Sequence, residues 1–279
     1  MKDLNYQLMK LCKTNRDGSF STQATRRRIL DRIANQLHEL GYQHMQAKSL
    51  KPKHVEALVS LWKDQGLSVG TLKNLLSGLR WWARHVGKPD IIPKNNDAFD
   101  IGKRSQVAKE SKAWELKEAH LARITDDYVR LSLQLQAAFG LRREEAIKFR
   151  PNYAIKDDHI KLKPSWTKGG RARTVPILND EQRVLLGRVK ALAKGGALIP
   201  PDKNYEKQLH RYERQIRTAG IKNPHGLRHA YAQRRYEELT SWKAPAAGGP
   251  ASKSLSCLLY TSPSPRCLLY TSPSPRDFS

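Results

Sequence analysis

The sequence is short of cysteine, of acidic residues and of long apolar runs, and each shortage excludes something. Only three of its 279 residues are cysteines, Cys12, Cys257 and Cys267. No Cys-x-x-Cys pair exists, so neither a disulfide framework nor a zinc ribbon organises the chain, which fits a reducing compartment. Met1 to Phe20 is polar and charged, without the apolar stretch of a signal peptide, and no later run is long enough to span a bilayer. A cytoplasmic protein with no membrane partner is expected. His225 and His229 stand four residues apart, as zinc-binding helical histidines do. Gly226 occupies the place where a metalloprotease carries Glu, however, and no third ligand cluster accompanies the pair, so no metal is expected. A Gly-rich phosphate loop and an aromatic ribonucleoprotein motif are also missing.

The shortage of acids is the other face of an excess of bases. Lys and Arg number 51 against 26 Asp and Glu, a net charge of +25. A surplus of that size repels itself and is best explained by a polyanionic partner, whose counterions are released when phosphates are neutralised. A ribosomal-type or merely soluble basic protein is the alternative.

Apolar periodicity divides the chain. Residues 1–90 read as a small helical bundle. A short helix covers Leu4 to Cys12. Ser21 or Thr22 caps a helix carrying Ile29, Ile33, Leu37 and Leu40 on one stripe, closed by Gly41. Ser49 and Pro52 open another, with Val55, Leu58, Val59 and Trp62 inward, and Ser68 opens a third with Leu72, Leu75, Leu79 and Trp82 inward. Lys73, Arg80 and Arg84 share the polar face of that third helix, either as a solvated face or as a DNA contact. Residues 91–112 carry no clean period and read as a linker.

Residues 113–256 read as a second domain, mostly helical with one small sheet. Asp126 or Asp127 caps a helix that breaks at Gly140 and resumes until Pro151. Three short strands are predicted at Tyr153 to Ile155, Ile160 to Leu162 and Arg173 to Ile177. Helices follow at Asp180 to Ala193, Asn204 to Ala219 and His225 to Leu239. The fold class is thus mainly α with a small antiparallel sheet (α+β). From Thr240 the composition turns to Ala, Gly, Pro and Ser, and the decapeptide from Cys257 to Arg266 recurs unchanged as Cys267 to Arg276. Two such copies bury nothing and make no solenoid. The repeat resembles translated adapter sequence at the end of an assembled read, so residues 257–279 are expected not to be native.

The chemistry is concentrated in two strings, Gly140-Leu141-Arg142-Arg143-Glu144-Glu145 and His225-Gly226-Leu227-Arg228-His229. Two guanidiniums converging on one phosphate would bind its non-bridging oxygens through forked hydrogen bonds that Lys cannot imitate. Alone, either arginine would be an ordinary helix charge. Lys168, in the Thr167-Lys168-Gly169-Gly170-Arg171 turn between two predicted strands, can reach a leaving oxygen as a proton donor, or be an exposed turn lysine. His225 lies three residues before Arg228, on nearly the same helical face, and can exchange a proton there.

Together these motifs resemble the tyrosine recombinase (phage integrase) family. The likeness covers about Trp114 to Leu239, and the preceding bundle resembles that family's SAM-like core-binding domain. It implies that Arg142, Lys168, His225 and Arg228 are catalytic and that Glu145 and His229 support them. It also implies a C-shaped clamp on double-stranded DNA, a tetramer during strand exchange, and a 3′-phosphotyrosyl intermediate formed without cofactor, metal or ATP. A mobile-element integrase in the bacterial nucleoid is the expected function. A non-catalytic duplex-binding protein of the same fold and an RNA-binding protein with chance motifs are the alternatives.

One element departs from the pattern. The family continues past the second arginine with a Gly-His or Gly-Trp pair and a nucleophilic tyrosine, but here no histidine follows His229 and Trp242 comes too early. Tyr260 falls 32 residues after Arg228, inside the repeat, and is a weak candidate. Tyr231 and Tyr236 are expected to pack. The chain is therefore expected to be cut short before its nucleophile, and to bind DNA without cleaving it.

Overall fold

A computed structural model of the chain describes residues 3–103 and 110–250. The chain divides into two compact units, Met1–Gln106 and Val107–Ser279.

The first unit is a bundle of four helices: α1 (Asp3–Thr14), α2 (Phe20–Glu39), α3 (Pro52–Asp64) and α4 (Val69–His85). Ser19, not Ser21 or Thr22, caps α2, its side chain accepting from the Thr22 N–H. The hydroxyls of Ser21 and Thr22 fall inside the first turn instead. Ser68 caps α4 as its sequence predicts, accepting from the Thr71 N–H. Pro52 occupies the first turn of α3, where its missing N–H is no loss, while Ser49 ends a separate short 3-10 turn. The α2 stripe sits slightly differently from its prediction. Leu30, Ile33, Ala34 and Leu37 are buried, and Leu40, beyond the last turn, is exposed. Trp62 and Trp82 are fully buried. Their indole N–H groups donate to the Gln36 side chain and the Ala47 carbonyl, each at 2.9 Å. Ile92 and Ile101 also belong to this core, so the segment read as linker from residue 91 is partly folded into the bundle.

The second unit holds α5 (Glu118–Leu121), α6 (Asp127–Phe139), α7 (Arg143–Ile147), α8 (Pro151–Ala154), β1 (His159–Leu162), β2 (Arg173–Pro176), α9 (Asp180–Ala193), α10 (Tyr205–Thr218) and α11 (Gly226–Thr240). The strands pair antiparallel, with Leu162 opposite Arg173 and His159 opposite Pro176. The strand predicted at Tyr153 to Ile155 is absent from the sheet. Pro151 does not merely end a helix but starts the turn of α8, which takes Tyr153 and Ala154 with it. Ile155 keeps only an isolated bridge to Ile160. Asp126 caps α6 and Asn204 caps α10, accepting from the N–H groups of Val129 and Lys207.

Helix α6 is the axis of this unit. Leu131, Leu135 and Phe139 feed one apolar cluster with the sheet and α9, and Val129 and Leu133 feed a second with α10. Successive fourfold spacings put the two rows on different faces of one helix. Helices α7 and α11 join both clusters, through Ala146 and Ile147 and through Tyr231 and Leu227. Arg142, Glu145, Arg173, His225 and Arg228, described next, lie on or at the ends of α7, β2 and α11.

Candidate active site

The site begins with the end of a helix. Gly140 caps α6 in the left-handed region, at φ +59°, and a Cβ there would lie 2.5 Å from Cδ1 of Tyr231. Only glycine satisfies both demands. The turn buries Leu141 and makes Arg142 the N-cap of α7. Glu145, one turn on, folds its carboxylate back: Oε2 accepts from the Arg142 N–H at 2.8 Å, and Oε1 accepts from Nη1 of Arg142 at 2.7 Å. One carboxylate thereby satisfies a helix N-terminus and orients the guanidinium beside it.

A second guanidinium reaches the same carboxylate. Nη2 of Arg173, on β2, donates to Oε2 of Glu145 at 2.6 Å, and both side chains are buried. Burial alone would raise the Glu145 pKa. The charge of Arg173, followed by the hydrogen bonds and charge of Arg142, outweighs it and holds the carboxyl below its ordinary value. Glu145 is thus an anion within a protein interior. Sequence reasoning missed Arg173. Within its own segment it reads as one inward residue of a strand, and nothing there points to a carboxylate 28 residues earlier.

Arg228 enters from the first turns of α11. It is 7% exposed, and Nη1 donates to the carbonyl of Gly140. The turn that sets the direction of Arg142 is therefore also the turn that Arg228 grips. Gly226 lets α11 approach closely, since a Cβ there would meet the Lys112 carbonyl at 2.8 Å and Cβ of Trp114 at 2.7 Å. The Trp114 N–H donates to the Gly226 carbonyl at 3.2 Å.

His225 is the N-cap of α11 and faces His229 edge-on, with ring centroids 5.1 Å apart. Loss of surrounding water lowers the His225 pKa, and His229, Arg228 and Arg142 lower it further against the opposing pull of Glu145. Loss of water, with Lys112 and Arg228, lowers that of His229. Both rings are therefore neutral near pH 7, able to accept a proton. Among the described residues no group of three or more His, Cys, Asp or Glu stands ready for a metal.

The other expected residues are less closely joined. Lys168 is exposed on the β1–β2 connection, and among the described residues it makes no hydrogen bond or ion pair to Arg142, Glu145 or Arg228. In the first unit Arg84 is exposed and Lys73 half-buried. Arg80 is half-buried and donates to the Pro93 carbonyl through Nε at 3.0 Å and Nη2 at 2.7 Å, so it holds its own unit together. Tyr231 and Tyr236 are buried, and burial raises the Tyr231 pKa, which suits packing and not attack. Tyr260 lies outside the described residues.

Residues 1–92 match the family described as phage integrase, N-terminal, and residues 101–234 match the family described as integrase. The chain belongs to the phage integrase family of tyrosine recombinases. Solved recombinases share its fold. The XerH site-specific recombinase bound to palindromic difH substrate, in a post-cleavage complex, aligns at a TM-score of 0.56 and 21% identity, over 84% of this chain and 74% of that one. A lambda integrase tetramer bound to a Holliday junction aligns at 0.55 and 17%, over 84% and 70%. A lambda integrase dimer bound to a COC′ core site aligns at 0.54 and 18%, over 85% and 71%. No curated protein matches this recombinase by sequence. No helix among its described residues is long and apolar enough to cross a membrane.

Proposed function

We propose that this recombinase acts on double-stranded DNA as the integrase of a bacterial mobile genetic element, with the phosphodiester held between Arg142 and Arg228. The observation that carries the reading is the shared turn: Arg228 donates to Gly140, two residues before the Arg142 that Glu145 orients. Two guanidiniums so placed bind the non-bridging oxygens and stabilise the charge that builds as phosphorus becomes five-coordinate. Neutral His225 exchanges a proton with the attacking or leaving oxygen, and Lys168 protonates the 5′ oxygen once the flexible turn brings it over the DNA. Attack by a tyrosine conserves the bond energy in a 3′-phosphotyrosyl link, so the reaction draws on no nucleotide or metal. Lys73 and Arg84, with Arg80 where its bond to Pro93 allows, add phosphate contacts from the first unit. Strand exchange in a tetramer is supported by the tetrameric lambda integrase among the structural neighbours.

A second reading, a protein that binds duplex DNA without cutting it, is favoured by the burial of both tyrosines that share α11 with Arg228. One experiment separates the two. The protein is incubated with nicked suicide duplexes, and binding is followed by gel shift while covalent adducts are followed on denaturing gels. An adduct that disappears in Tyr260→Phe, Arg142→Ala and Arg228→Ala establishes the integrase reaction with Tyr260 as nucleophile. A gel shift without an adduct, the outcome expected if Tyr260 plays no part, establishes the second reading. Absence of any shift overturns both.

A further inference from the structure

We propose that residues 111–114 form a strap along α11 and that Lys112, carried on it, is a positioning residue that directs a proton to His225 rather than to His229. The inference rests on the reading of His225 as the histidine that exchanges a proton at the phosphate. Its ground is a register. Gly226, His229 and Gln233 are three and four residues apart, so they share one face of α11. Nε2 of Gln233 donates to the Ser111 hydroxyl at 2.9 Å, and at the other end the Trp114 N–H donates to the Gly226 carbonyl at 3.2 Å. Seven residues of helix rise about 10.5 Å, and three residues of extended chain reach about 10 Å. The two spans match, so the segment runs antiparallel to the helix, with Lys112 between its two ties and over the turn that carries His229. The fit needs Gly226: a Cβ there would meet the Lys112 carbonyl at 2.8 Å, so the backbone of residue 112 lies against the helix.

The charge on the strap bears on one ring of the pair. Loss of water is the first cause that keeps His229 neutral, and the charge of Lys112 is the next, ahead of Arg228. At His225, loss of water, His229, Arg228 and Arg142 oppose a proton and Glu145 favours one. The rings stand 5.1 Å apart, so a proton on one opposes a proton on the other and the two titrate as a coupled pair. With Lys112 in place the proton is turned away from His229, and the pair takes it on the ring that Glu145 favours. Without Lys112, His229 competes for that proton, and a charged His229 makes His225 a poorer acceptor.

The test follows the histidine ring C–H resonances through pH by NMR, with His225→Gln and His229→Gln identifying the two rings by their missing signals. In Lys112→Met the midpoint of His229 is expected to rise, while staying below 6.5 because the loss of water remains, and His225 is not expected to rise with it. Lys112→Arg, which keeps the charge, restores the original midpoint. Added salt should shrink the difference between the unaltered protein and Lys112→Met, since an exposed charge is screened, whereas a merely structural change would ignore it. Gly226→Ala is expected to lift the strap, so that hydrogen exchange at the Trp114 N–H quickens and the His229 midpoint rises with Lys112 still present. Should that variant fail to fold, Gln233→Leu releases the other end and takes its place. A His229 midpoint that stays put in Lys112→Met, or rises as much in Lys112→Arg, overturns the inference and leaves the phosphate reading intact. Quicker exchange at Trp114 with an unmoved midpoint overturns the role of the strap. A short mixed-sequence duplex at low salt tests the reading beneath: if neither ring responds to the DNA, proton exchange at a bound phosphate is removed, and the inference falls with it whatever the midpoints show.

Discussion

Among the described residues, the buried polar side chains of the first unit are Asn5, Gln36 and His54, all neutral, and those of the second include Glu145, Arg173 and Arg228. The bundle uses its polar atoms to close gaps in packing, as Gln36 does for the Trp62 indole. The second unit keeps ions where water does not reach, on α7, α11 and β2. Buried ion pairs are a weak source of stability, since desolvation offsets most of their attraction. The proposed phosphate site would give their place in one unit and not the other a purpose, the presentation of fixed positive charge.

The strongest break in that comparison is Glu145→Ala. It removes the carboxylate that Arg173 and Arg142 share and is expected to destabilise the second unit by about 3–5 kcal/mol, the cost of breaking a buried ion pair by removing one partner, as read by urea unfolding. A loss no larger than that of an ordinary surface substitution would show that the second unit tolerates its ions as easily as the bundle tolerates neutral groups. Next is Gly140→Ala, which meets Tyr231 and a left-handed backbone together. Overpacking and conformational strain sum to about 2–4 kcal/mol. Its counterpart in the bundle is Gly41→Ala, at φ +93° with nothing within 4 Å. There only the strain remains, about 1 kcal/mol, and the gap between the two melting curves measures the steric part.

Gln36→Leu sharpens the bundle side. It leaves the buried Trp62 N–H without its partner and costs about 1–3 kcal/mol, whereas Arg84→Ala on the exposed face should leave thermal stability unchanged. The smallest effect is in pH. Burial, with Lys53, Lys51 and Lys88, lowers the His54 pKa, so the unfolded chain takes up that proton first. Stability of the bundle is full above the ordinary value of 6.5 and falls as pH drops from there toward the folded value. Glu145, also lowered, supports the second unit above its ordinary value of 4.5, and that support is lost as pH falls through the folded value. His225 and His229, also lowered from 6.5, weaken the second unit over the same range as His54 weakens the bundle. Both units should therefore soften together on acidification, with the Glu145 support lost at lower pH, and hydrogen exchange followed separately in the two units checks this.

What was legible in the sequence follows the range of the interaction. Caps at Ser68 and Asp126 were readable because each side chain bonds a backbone N–H three residues away. The false strand at Tyr153 arose because β-favouring residues outweighed a proline that starts a turn as readily as it ends one. Arg142, Glu145, His225 and Arg228 could be singled out as candidates because each string is short and its residue types are chemically specific. Arg173 was not, because its role exists only across space. Lys168 was chosen for its turn, and in the fold it remains apart from the arginines, with the DNA itself proposed as the group that would gather them.

The span of the contacts also orders the assembly of the site in time. Glu145 and Arg173 are 28 residues apart, while Arg228 and Gly140 are 88 apart. A chain leaving the ribosome can complete the Arg142–Glu145–Arg173 half while α11 is still unmade, and Trp114 must wait for Gly226 before its N–H finds a partner. A nascent chain can thus hold the Arg142–Glu145–Arg173 contacts before Arg228 reaches the Gly140 carbonyl, which waits for α11 to emerge.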